Sequence, residues 1–92
     1  MFGLRTLSDP HLKAARQRAI NHLRRYHPNC HLGTVRLRAN EATRYVFAVF
    51  YRDPTHPTIP DPYLLLAVPR DCSSVEELEC SPHSPYWIRG RK

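Results

Sequence analysis

Two short pairs in the chain have the spacing of metal ligands, His27-x-x-Cys30 and Cys80-x-x-His83. A gap of two residues lets one turn present two donors to a tetrahedral zinc ion, and Cys₂His₂ is an established donor set. His27, Cys30, Cys80 and His83 are therefore candidate zinc ligands, with His31 and Cys72 as spare donors. The competing reading is a chain whose six histidines and three cysteines are each packed or solvated. That reading is the simpler one, because such zinc sites normally show two well-defined knuckles. The cysteines then read as reduced thiols.

Nucleophilic chemistry finds less support. Cys30 and His31 are adjacent, and adjacent side chains in an extended segment point apart. Productive Cys–His pairs are assembled from distant segments. Acid–base work needs carboxylates in a protected cleft. Asp53, Asp61 and Asp71 instead sit in Pro-containing turns at strand ends, where aspartate is favoured for local reasons. Glu76, Glu77 and Glu79 read as a solvated face. With three glycines in the chain there is no phosphate-cradling loop. The expectation is a chain that binds rather than catalyses.

What it would bind follows from charge. Residues 1–46 carry nine basic and two acidic side chains, and residues 47–92 carry five and six. Between Pro10 and Asn40 there is no acid, and twelve of the 14 basic residues are arginine. Arginine grips carboxylate or phosphate in bidentate fashion. Lys13, Arg16, Arg18, Arg24 and Arg25 lie on one helical segment with no acid four residues away to neutralise them. Arg36 and Arg38 follow on a strand. An acidic protein surface is the first expected partner, with self-association included. Nucleic acid is the alternative, with Tyr26, Tyr45 and Tyr51 available to stack on bases. The bland alternative is a solvated basic face.

The elements that must position these residues can be read from periodicity. Ser8-Asp9-Pro10 opens a helix over residues 8–27, with Asp9 as N-cap and Pro10 at the first helical position. Pro28 stops it. Leu12, Ala15, Ala19, Leu23 and Tyr26 form one apolar stripe, with Ile20 at its margin. Residues 27–33 read as a turn. Residues 34–38 alternate, with Val35 and Leu37 inward and the two arginines outward. Residues 44–52 are apolar on both faces, which fits a central strand. A stiff proline-rich loop spans 53–62, and a third strand starts at Tyr63. Ser74 and Glu77 suggest a capping box on a short helical turn. The apolar trio Tyr86-Trp87-Ile88 should dock on the sheet, because leaving it exposed is costly. The C-terminal segment, or a second copy of the chain, would cover the second sheet face.

The fold class expected is therefore α+β: one N-terminal amphipathic helix on a three- to four-stranded antiparallel sheet, in a single domain over residues 1–92. No run approaches the roughly 18 apolar residues needed to cross a bilayer, and no signal peptide is expected. A cytoplasmic location is the corresponding expectation. The helix-then-three-strands order is similar to that of double-stranded-RNA-binding domains. The segment matching their final, lysine-rich helix is here short and acidic, at residues 74–79. The wrapped-sheet layout is similar to that of cystatins, but their Gln-x-Val-x-Gly hairpin is missing. Neither likeness transfers a function.

Overall fold

The helix α1 (Pro10–Tyr26) starts where proline needs no hydrogen-bond partner for its nitrogen. It ends as His27 N donates to Leu23 O at 2.8 Å, just before Pro28. The computed structural model describes residues 10–55 and 62–88. The expected N-cap Asp9, the turn residue Asp61 and the last four residues lie outside that range. Four antiparallel strands follow: β1 (His31–Asn40), β2 (Arg44–Arg52), β3 (Tyr63–Pro69) and β4 (Glu76–Leu78). They lie in one sheet in the order β1-β2-β3-β4, each beside its sequence neighbour. The α+β architecture is the one expected from the sequence.

Alternation along β2 decides what each face meets. Tyr45, Phe47 and Val49 point to the helix, where they pack with Leu66 and Val68 against Ala15, Ala19 and Leu23. The two alanines let the helix backbone approach the sheet closely. Ala48 and Phe50 point the other way and join Tyr63 and Leu65. That second face is covered by Leu78, Tyr86, Trp87 and Ile88, so the C-terminal segment supplies its lid. The result is helix, sheet and C-terminal strap in three layers.

Several local expectations are corrected. Tyr26 leaves the apolar stripe: it is 60% exposed, and its ring packs at a tilt against His22 with centroids 4.7 Å apart. Ile20, assigned to the margin, is buried. β1 begins three residues early, with His31 opposite Arg52. A register shift between Leu32 and Val35 accommodates Gly33. A Cβ there would come within 3.0 Å of the Phe50 carbonyl oxygen, so glycine is needed for the close approach. Leu37, expected inward, is 38% exposed next to a second register shift.

The expected helical turn at Ser74 and Glu77 is replaced by β4. Residues Glu76, Glu77 and Leu78 pair with Ala67, Leu66 and Leu65, which satisfies the backbone groups of the β3 edge. Leu78 then faces the strap, while Glu77 turns to the helix side and is engaged by histidines rather than by a capping box.

The strap is fastened by polar side chains. Tyr86 OH donates to Glu41 Oε2 at 2.5 Å and accepts from Arg44 at 3.1 Å. Arg44 Nε also donates to Glu41 Oε1 at 2.8 Å. Arg38 Nε donates to the Tyr86 carbonyl at 3.2 Å. The Tyr86 hydroxyl, then Arg44, hold the Glu41 carboxyl below its ordinary value of 4.5. A depressed carboxyl stabilises the folded state above its unfolded pKa, and that contribution is lost as pH falls through the folded value. Acidification from about pH 5 to about pH 3 is therefore expected to loosen the strap before the sheet melts. Trp87, the only tryptophan, packs beside Tyr63 at 5.9 Å and reports the event by a red-shifted fluorescence. Tyr86→Phe should remove the pH dependence of that shift. An unchanged acid profile in the variant would assign the transition to other groups.

Candidate functional site

The C-terminal end of α1 gathers the polar groups with the most chemical potential. His22 lies in the last full turn and His27 just beyond the helix. Glu77 comes from β4, 55 and 50 residues further along the chain. Both histidine Nε2 atoms meet one carboxylate oxygen, His22 at 2.8 Å and His27 at 3.0 Å from Glu77 Oε2. The His22 side chain is 12% exposed, His27 33% and Glu77 41%, so the cluster is open to water on its carboxylate side. Hydrogen bonds from His22, and then His27, hold the Glu77 carboxyl below its ordinary value. Among the described residues this is the group of three metal-capable donors whose ligand atoms come together. Glu77 was expected to be a solvated acid, and nothing in its local spacing links it to a helix so far upstream.

A groove of about 360 Å³ runs beside the cluster, between the helix and the segment leading into β4. Arg18, Asn21, His22, Arg25 and Tyr26 form its helix wall, and Ser74 and Val75 the opposite one. The Arg25 guanidinium lies over the Tyr26 ring, 5.5 Å from its centroid. This places an exposed aromatic ring in contact with one cation on the groove wall.

The seven basic residues singled out by sequence do not form one patch. Lys13, Arg16, Arg18, Arg24 and Arg25 are all exposed on α1. None has a carboxylate partner among the described residues. At about 100° per residue, Lys13 and Arg24 lie on the flank away from the groove. Arg36 stands opposite Ala48, on the sheet face remote from the helix. Arg38 shares the strap side and is spent on the Tyr86 and Trp87 carbonyls. Of the tyrosines proposed for base stacking, Tyr45 is fully buried and Tyr51 packs against the core, while Tyr26 is exposed beside His22 and Arg25.

The four donors of the Cys₂His₂ reading are not brought together in the described structure. Cys30, Cys80 and His83 do not join His27 in a ligand group. Cys30 packs against the helix-side core, and the Cys80 thiol donates to the Tyr63 carbonyl at 3.5 Å. Burial raises both thiols above their ordinary value. Nucleophilic attack needs the thiolate, which these surroundings disfavour. His83 is exposed in the turn that follows β4. The reading of the aspartates as turn formers holds for the two described: Asp53 Oδ1 accepts from Thr55 N at 3.0 Å, and Asp71 Oδ1 from Ser73 N at 3.0 Å.

A wider, shallower cleft of about 830 Å³ opens where β1 begins and β2 ends, lined by His31, Thr34, Arg36 and Arg52 with Phe50 and Tyr51 at its base. It brings no group of three metal-capable donors together. No helix among the described residues is long and apolar enough to cross a membrane. No protein-family model, curated protein or solved structure matches the chain.

Proposed function

We propose that this chain is an interaction domain that docks an acidic segment of a protein partner in the groove beside α1. One observation carries the reading. Arg18 and Arg25, without carboxylate partners among the described residues, flank the exposed Tyr26 on the wall of a groove. Arginines beside an accessible aromatic ring are the side chains that dominate protein-binding surfaces. The charge selects carboxylates, and the groove suits an extended segment better than a flat surface. Partner side chains would pair with Arg18 and Arg25 while an apolar group rests on Tyr26.

Nucleic acid is the second reading, on the same cations and the same ring. It is weaker because, among the described residues, Arg36 and Arg38 lie on the sheet face remote from the groove and do not extend its cations into a basic track for a phosphate backbone.

Fluorescence anisotropy with a labelled peptide of alternating glutamate and leucine, run beside single- and double-stranded oligonucleotides, tests the proposal. The peptide is expected to bind more tightly than either oligonucleotide. Arg18→Glu combined with Arg25→Glu should weaken peptide binding about 100-fold, the size expected when two attractive charges become repulsive. The melting temperature should barely move, since both residues are exposed. Tighter oligonucleotide binding with a steep salt slope would hand the groove to nucleic acid. Absence of peptide binding at low salt would sink the docking reading.

A further inference from the structure

We propose that His22, His27 and Glu77 form a divalent transition-metal site of the zinc type, pinning the end of α1 to the edge strand β4. The proposal goes beyond the docking reading and stands whether or not that reading does. Two imidazole nitrogens and one carboxylate oxygen are a common zinc donor set, and three protein ligands leave one position for water or an anion.

The geometry needs little change to accept the ion. All three donor atoms lie within 4.8 Å of one another. Ligands of a tetrahedral zinc stand about 3.3 Å apart. The observed 2.8 and 3.0 Å separations therefore open by a few tenths of an ångström as hydrogen bonds give way to coordination. Both Nε2 atoms already converge on one oxygen, so the ion enters where protons now bridge. Each neutral imidazole moves its proton from Nε2 to Nδ1 on ligation, and any doubly protonated ring releases one proton to solvent.

The surroundings favour a cation here despite the arginines nearby. Its two histidines come from the C-terminal end of a 17-residue helix, where the helix dipole favours positive charge. Arg25 is turned over Tyr26. His22 is held by packing, with its ring tilted against Tyr26 at 4.7 Å, so one ligand is positioned before the metal arrives. This set differs from the Cys₂His₂ combination suggested by spacing and shares only His27 with it.

Zn²⁺ titration of the full chain, with no added histidine tag, tests the site through stability and spectroscopy. One ion per chain should bind in the micromolar range and raise the melting temperature by several degrees. Co²⁺ in its place should give visible d–d bands without a thiolate-to-metal charge-transfer band. Glu77→Gln and His27→Gln, both at partly exposed positions, should each weaken binding at least about 30-fold while the metal-free chain stays folded. His22→Gln is the third, more buried variant. Three results would overturn the proposal: no melting shift and no cobalt spectrum, binding unchanged in both exposed variants, or a charge-transfer band that places the ion on cysteine.

Discussion

Replacing Arg70 with alanine is expected to destabilise the fold by about 3 kcal/mol, although the residue sits in a turn after β3. Its guanidinium donates to the carbonyls of Glu41 at 2.7 Å and Ala42 at 3.0 Å, and to the Asn40 side chain. It also donates to Tyr45 OH at 2.9 Å while lying 4.6 Å from the centre of that ring. One side chain thus closes the β1–β2 hairpin from the end of the adjacent strand β3 and satisfies the hydroxyl of a fully buried tyrosine. Removing it leaves that hydroxyl and two carbonyls short of a donor. Each charge-assisted bond contributes about 1.5–3 kcal/mol where it is shielded, and the exposed ones less. Lysine should recover little, because a single ammonium cannot span the fork. Urea unfolding would measure it. A loss below about 1 kcal/mol in the alanine variant would show that water replaces the guanidinium easily.

A larger loss, about 4 kcal/mol, is expected for Phe47→Ala. Phe47 is 1% exposed at the middle of β2, opposite Leu37 on β1 and Leu66 on β3. It belongs to the cluster that receives Ala15, Ala19 and Leu23 of the helix. The two alanines on the facing helix are too small to refill the space. Domains of this size are stable by about 5–14 kcal/mol, so the variant should lose between about a third and about four-fifths of its stability. Each kcal/mol is worth about 4–8 °C, which puts the melting temperature about 15–30 °C lower. Loss of helical circular dichroism together with the sheet signal would show that this cluster is what couples the two layers. Phe47→Leu, which keeps most of the volume, should cost about a third as much.

The fold and the candidate site differ in how much the sequence by itself determined. The helix, the central strand and the third strand are written in local spacing: a 3–4 apolar repeat ended by Pro28, and β-branched and aromatic runs bounded by turn residues. The docking of Tyr86-Trp87-Ile88 was also legible, because an apolar trio at a polar chain end has to find cover, and β2 is apolar on both faces. The exposed basic side chains of α1 were readable for the same reason, since no acid lies within reach along the helix.

Tertiary structure alone decided which of those charges share a groove, and what meets the histidines. Arg36 and Arg18 are both exposed, yet the sheet separates them, because alternation assigns a face only after the strand's partners are known. Arg38 was read as free for a partner and is instead committed to the strap. Residues 74–79 carry a capping pattern that favours a helical turn locally, but the unpaired edge of β3 offers backbone hydrogen bonds that outweigh it. That pairing turns Glu77 toward His22 and His27. Contacts across 50 residues leave no trace in a local period, so the His22, His27 and Glu77 cluster emerges only when β4 is placed.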